Sequence, residues 1–362
     1  TTNTLVVAAT SKVTINDATD AALTASSLSA IGGKTTGTAT VSNAVVISGS
    51  AVELTAALVT ADTLVVAATA KATINDATDA ALTASSLSAI GGKTSGTVTV
   101  NNAVVISGTA AEVTAALVTA ATLVVAATAK VTVTGTISVG DLNDIATKTI
   151  GVVTATLATG NLASFANLAE TGNAYTINVN DGAGAALNAT ALGSLGGKTT
   201  GTVTVSNAVV ISGTAEEVIA ALVTEDSRVV AATANVIVSG TISDTNLNAI
   251  RARTSGAVTL VAQNIQGTDA AEVLNGSAAN DLINGGNGND TIAGGAGADV
   301  MTGGPGADVF VLRPGDGVAR SSENLTNSVV DGRTITFANG VDIITDFVSG
   351  IDKLDTMLPA GH

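Results

Sequence analysis

Four aspartates, Asp281, Asp290, Asp299 and Asp308, recur every nine residues, each the sixth residue of a segment that opens on glycine. Three of these segments are near copies: Gly285-Gly-Asn-Gly-Asn-Asp-Thr-Ile-Ala, Gly294-Gly-Ala-Gly-Ala-Asp-Val-Met-Thr and Gly303-Gly-Pro-Gly-Ala-Asp-Val-Phe-Val. A carboxylate offers a hard anionic oxygen, and glycine permits the positive φ that turns peptide carbonyls toward the same point. Oxygen donors of both kinds in one short turn suit a hard divalent cation such as calcium. The candidate ligand set is therefore the four aspartates with the backbone of Gly285, Gly286, Gly288, Gly294, Gly295, Gly297, Gly303, Gly304 and Gly306. The eighth place is apolar in every copy, as Leu274, Ile283, Ile292, Met301 and Phe310. Each nonapeptide thus reads as a six-residue turn and a three-residue strand whose middle side chain enters a narrow core.

Five tandem nonapeptides, starting at Gly267, Gly276, Gly285, Gly294 and Gly303, fill Gly267–Val311, and the last three fit G-G-x-G-x-D-x-U-x with U a large apolar residue. This stretch resembles the RTX (repeats-in-toxin) calcium-binding family. The resemblance implies a parallel β-roll with two nonapeptides per turn, so that turns on one edge come from alternate copies. It pairs Asp281 with Asp299 and Asp290 with Asp308 about calcium, with Glu272 and Asp290 as a weaker third pair. The first two copies, Gly267-Thr-Asp-Ala-Ala-Glu and Gly276-Ser-Ala-Ala-Asn-Asp, lack the second and third glycines and read as a splice. Without calcium the clustered carboxylates repel and the core is small, so the roll is expected to be unfolded.

Phe310-Val-Leu-Arg-Pro-Gly-Asp-Gly, followed by Asp342-Ile-Ile-Thr-Asp-Phe-Val-Ser-Gly-Ile-Asp-Lys-Leu-Asp, is similar to the cap after RTX rolls in exported proteases and lipases. Here Val318–Gly340 is inserted between the two pieces and is expected to form a hairpin or loop across the roll's end. The resemblance implies an uncleaved C-terminal signal read by the type I secretion machinery. No leader is legible at Thr1, so the expectation is a processed or partial chain, or one exported by a signal elsewhere.

The rest of the chain must carry this roll. Aromatic residues make up 1% of the 362 positions, so packing has to come from thin, close layers of small residues. A net charge of −15 argues against nucleic acid or an anionic membrane as partner. No apolar run reaches about 18 residues, so membrane insertion is not expected. The absence of cysteine removes disulfides and thiolate metal sites.

Self-comparison shows an array before the roll. Thr4-Leu-Val-Val-Ala-Ala-Thr recurs at Thr63 and Thr122, a shift of 59, and Ala21–Lys34 recurs unchanged at Ala80–Lys93. Within a unit, Val13-Thr-Ile-Asn reads as a strand, Asp17 and Asp20 as helix N-caps, and Leu23, Leu28 and Ile31 as one side of a short helix. Gly32-Gly33 would end that helix in a left-handed turn. Asp17, Asp20, Asp76 and Asp79 are read as caps rather than ligands, because they lack the glycine turn chemistry. Gly140–Ala146 and Asn161–Leu168 supply the helices of the middle rungs. Central strands fall near residues 40, 65, 99, 124, 153, 177, 204, 229 and 259. That spacing predicts a β/α solenoid of about nine rungs, strands parallel on one side and helices on the other, coiled right-handed. The domain expectation is solenoid at 1–266, calcium roll at 267–316, and cap with secretion signal at 317–362.

No H-E-x-x-H, no G-x-S-x-G and no cysteine nucleophile occurs, and His362 is the only histidine, so an RTX-tailed enzyme is the less favoured class. Strands such as Thr36-Gly-Thr-Ala-Thr40 invite an ice-binding or glycan-binding surface, although Thr is also an ordinary solvent-facing strand residue. The favoured expectation is an extracellular or cell-surface structural protein whose partner is itself, a head-to-tail homopolymer forming a filament, layer or matrix. An adhesin-like stalk is the alternative. The roll would then act as a switch and cap, unfolded at low calcium and folded outside the cell.

Overall fold

The computed structural model describes residues 10–63, 65–122, 124–169, 171–312, 335–336 and 342–356. The chain forms two compact units, Thr1–Asn180 with Leu195–Thr204, and Asp181–Ser194 with Val205–His362.

The first unit is a set of parallel ladders. Val13–Ile15, Ala39–Val41 and Val65–Val66 make the first. Ala22–Thr24, Val46–Gly49, Lys71–Ile74, Val98–Val100 and Val124–Val125 make the second. Ala81–Thr83, Val105–Thr109, Lys130–Ile137, Val153–Leu157 and Ala174–Val179 follow in a third. Paired residues are 26 apart at Val13↔Ala39 and 20 apart at Thr154↔Ala174, so about one turn of chain separates neighbours. The 59-residue repeat is not a whole number of such turns. Positions 59 apart, such as Val13 and Ala72, therefore land in different ladders.

Eight-residue helices link the strands: Ala25–Gly32, Ala51–Leu58, Ala84–Gly91, Ala110–Leu117 and Val139–Ala146. Each is packed against the next. Leu28, Leu54, Leu58, Leu87, Ile90, Val113, Leu142 and Ile145 carry their buried faces. Burying one such side chain stabilises by about 1.5–3 kcal/mol. Ser50 with Glu53 and Thr109 with Glu112 form reciprocal capping boxes, satisfying amides that a helix start leaves open.

Three local expectations change. The first helix begins at Ala25, capped by Thr24, whose Oγ1 accepts from the Ser27 amide at 3.2 Å. Leu23 sits before it, in the strand Ala22–Thr24. A threonine next to a pairing strand serves as the cap, because the ladder with Val46–Gly49 holds residues 22–24 extended. Asp20 and Asp79 have φ of 62° and form ion pairs across the ladder, with Lys71 at 2.9 Å and Lys130 at 2.8 Å. Asp76 does meet a helix start, but that of the previous turn: its Oδ2 accepts from the Ala51 amide at 2.7 Å. Finally, Gly33 is right-handed at φ −66°. Glycine is required one place earlier, where a Cβ on Gly32 would overlap the Thr63 carbonyl, as one on Gly91 would overlap that of Thr122.

In the middle turns Leu162–Phe165 is a short 3-10 turn instead of an α-helix. Phe165 and Tyr175 are buried there, supplying bulk that small residues give elsewhere.

The second unit contains a parallel ladder of Ala186–Asn188, Val210–Thr214, Asn235–Ser239 and Val258–Leu260. Helices Ala215–Leu222 and Asp244–Arg251 accompany it. Among the described residues no helix follows Leu260. Asn264–Gln266, Leu282–Asn284, Val300–Thr302 and Ile343–Ile344 form one sheet, and Val273–Asn275, Thr291–Ala293, Val309–Leu312 and Lys353–Thr356 another. Within the nonapeptides, partner strands come from alternate copies, as at Leu282↔Val300 and Thr291↔Val309. Each strand holds the last three residues of its repeat, as the register predicts. Ile283, Ile292, Met301 and Phe310 are fully buried and, with Leu312, Ile344 and Phe347, make up the core of the roll. The inserted segment 318–340 lies outside the described residues except for Ile335–Thr336, which pairs antiparallel with Ile343–Ile344.

Candidate metal centre

The sixth residues of the repeats stack in two columns joined by charge-assisted bonds. In one column the Gln263 amide donates to Asp281 Oδ1 at 2.6 Å, the Asp281 amide to Asp299 Oδ1 at 2.8 Å, and the Asp299 amide to Asp342 Oδ1 at 3.1 Å. In the other, the Glu272 amide donates to Asp290 Oδ1 at 2.8 Å, that of Asp290 to Asp308 Oδ1 at 2.8 Å, and that of Asp308 to Asp352 Oδ1 at 2.9 Å. One carboxylate oxygen of each acid is thereby spent on closing the turn before it.

The other oxygen is not. Asp290, Asp299 and Asp308 are at most 1% exposed, and Oδ2 of each has no hydrogen-bond partner among the described residues. A buried, unpartnered carboxylate oxygen costs several kcal/mol unless a cation meets it. Its surroundings suit one. A Cβ added to Gly285 would meet both Asp290 Oδ2 and the carbonyl oxygen of Gly303, one turn further on. Cβ atoms on Gly294 and Gly303 would overlap Oδ2 of Asp299 and Asp308. Glycine therefore stands first in each strict repeat because the aspartate oxygen, joined at Gly285 by a facing peptide carbonyl, occupies that space.

Gly286, Gly288, Gly295, Gly297 and Gly304 have φ from 91° to 130°, the left-handed region glycine favours. Gly306 lacks that twist, but a Cβ added there would overlap the Gly288 carbonyl. Among the described residues no three His, Cys, Asp or Glu side chains converge as a metal cluster. Peptide carbonyls exposed by the glycine turns are the further oxygen donors that the pattern offers an ion here.

Electrostatics agree. Burial pushes the Asp299 carboxyl up to about 7, with repulsion from Asp342 and Asp281 adding to it, against the hydrogen bond from the Asp281 amide. Burial also raises Asp308, helped by Asp352, Asp290 and Asp346. Both carboxyls hold their protons more tightly than an exposed aspartate does.

All four predicted aspartates and their glycines come together in the roll. Sequence reasoning missed Asp342 and Asp352, which complete the two columns from 43 and 44 residues away. A signal was present: Asp342-Ile-Ile and Asp352-Lys-Leu repeat the Asp-x-apolar order of Asp299-Val-Met and Asp308-Val-Phe. Asp346 was missed too, and it binds the amides of Gly303 at 2.9 Å and Gly304 at 2.7 Å.

Residues 266–301, 275–310 and 284–318 match the family described as RTX calcium-binding nonapeptide repeat (4 copies). The match covers the roll, and its repeats are calcium-binding motifs. Neither the curated proteins nor the solved structures contain a significant match to the chain.

Proposed function

We propose that this chain is a secreted calcium-binding structural protein that self-assembles head to tail outside the cell, as a filament, surface layer or matrix. The calcium part rests on the RTX repeats and the bare aspartate oxygens; bound calcium supplies the positive charge that lets turns from alternate copies stack. Secretion by the type I route and a place at or beyond the cell surface follow from what RTX repeat proteins typically do.

The observation that carries self-assembly is a pair of strands that keep one edge unpaired among the described residues. Val13–Ile15 and Ala22–Thr24 each pair on one side only, with Ala39–Val41 and Val46–Gly49 respectively, among the described residues. An open parallel edge is a template for a strand from another chain. When the two contacting surfaces differ, such contacts propagate rather than close. No catalytic role is proposed.

An ice-binding reading needs long threonine ladders. Thr14 and Thr40 are in register but the next member is Val66, and Thr73 and Thr99 are followed by Val125. Hydroxyl rows run further elsewhere, as Thr24, Ser48, Thr73 and Thr99, and as Thr136, Thr156 and Thr176, so a surface-binding module is the second reading.

Negative-stain microscopy of the full chain with and without calcium tests the proposal. Ordered polymers in calcium support it; isolated particles in both conditions overturn the assembly claim and favour a stalk.

A further inference from the structure

The nonapeptides divide by their second residue. In the copies beginning at Gly285, Gly294 and Gly303 it is glycine, with φ of 97°, 93° and 91°, and the sixth-place aspartate keeps a bare Oδ2. In the copies beginning at Gly267 and Gly276 it is Thr268 or Ser277, and neither has positive φ. There the amide and hydroxyl of the second residue face the carboxylate. The Ser277 amide donates to Asp281 Oδ2, and the Ser277 hydroxyl donates to the same oxygen at 2.9 Å. The Thr268 amide donates to Glu272 Oε2 at 2.6 Å and its hydroxyl to Oε1 at 3.0 Å. At the far end the Val348 amide likewise donates to Asp352 Oδ2 at 2.8 Å.

We propose that the second residue of each nonapeptide decides whether its carboxylate needs a cation, and that the chain holds three calcium ions, at Asp290, Asp299 and Asp308. Thr268 and Ser277 provide through an amide and a hydroxyl what calcium provides in the other copies. The reason is that a carboxylate withdrawn from water must have both oxygens met. A glycine at positive φ rotates its N–H away and leaves one oxygen for an ion. A serine or threonine at negative φ delivers two donors and closes the site.

Direction of folding follows. The first two copies require no ion, so Val273–Asn275 and Leu282–Asn284 stand as a template on which Thr291–Ala293 and Val300–Thr302 pair when calcium arrives. Without that template, the ion-dependent copies would have to nucleate alone.

The inference rests on the calcium reading of the same roll, and counting ions separates the two. Native mass spectrometry of the full chain, titrated with calcium, is expected to show three bound ions. No bound ion overturns the calcium reading itself; any other count overturns this inference alone. Ser277→Gly is expected to add a fourth ion, and the exposed Thr268→Gly likewise, whereas Asp299→Asn should leave two. A count that stays at three in Thr268→Gly and Ser277→Gly overturns the role given to the second residue. Thr268 is at the surface, so its variant keeps the test decisive if Ser277→Gly fails to fold.

Discussion

Asp299 meets Asp281 through one oxygen only: the Asp281 amide donates to Asp299 Oδ1 at 2.8 Å, while Asp299 Oδ2 is buried without a partner among the described residues. The same carboxylate thus holds two turns together and leaves a negative charge that has to be met.

The first prediction concerns pH. Without calcium, the folded roll raises Asp299 from 3.8 to about 7, so between those values the folded state binds more protons than the unfolded chain. Stability of the calcium-free roll therefore falls as pH rises through that window and is greatest on its acid side. In chelator, circular dichroism of the full chain should gain strand signal as pH is lowered from about 8 to about 5. With calcium present protons compete for the same oxygens, and the calcium midpoint should move to higher concentration over the same range. A midpoint independent of pH would contradict the assignment of Asp299.

Phe310 is fully buried at the centre of the roll's core, with its ring centroid 6.3 Å from that of Phe347. Phe310→Ala should cost about 3–5 kcal/mol. In the proposed reading, calcium binding is coupled to folding of the copies that carry Asp290, Asp299 and Asp308, so the loss should appear as a calcium midpoint shifted upward, read by titration of the strand signal. An unshifted midpoint would mean that the core contributes little to closing the roll.

In the helix-bearing part, two adjacent glycines make opposite predictions. A Cβ on Gly91 would overlap the Thr122 carbonyl, which is backbone and cannot swing aside. Gly91→Ala should destabilise by about 1–3 kcal/mol in thermal unfolding. Gly92 has φ −67°, and an added Cβ there makes only ordinary contacts at 3.4 and 3.8 Å. Gly92→Ala should raise stability by no more than about 0.5–1 kcal/mol, through a stiffer unfolded chain.

Assembly through the first strand edge has its own test. The Val13 amide and the Ile15 carbonyl bond to the neighbouring strand, so Thr14 between them turns its amide to the open edge. Thr14→Pro removes that donor without breaking the existing ladder. Polymerisation, followed by light scattering in calcium, should be lost while the monomer's circular dichroism is kept. Polymers of unchanged length would exclude this edge as the contact.

How much could be read in advance depended on how local the cause was. The nine-residue register, the acid at place six and the apolar residue at place eight are local properties, and the strands at Leu282–Asn284 and Val300–Thr302 fall where they predict. The central strands near 40, 99 and 204 are likewise found at Ala39–Val41, Val98–Val100 and Val203–Val205, because β-branched alternation needs no distant partner to be legible. Asp20 reads as a cap because helix starts are usually assigned from the nearest acid. Its actual partner, Lys71, is 51 residues away and becomes adjacent only when the turns stack.

The sequence by itself determined that calcium-type turns follow a run of small-residue rungs, since composition, spacing and glycine placement act within a few residues. Tertiary structure alone decided which ladder each copy joins, because one turn of the array does not divide the sequence repeat evenly. It also decided that Asp342 and Asp352 complete the acid columns, and which carboxylates of the roll stay bare. Asp299 and Asp281 are both sixth-place acids, and only the donors that folding brings to each leave one with a bare oxygen and the other closed.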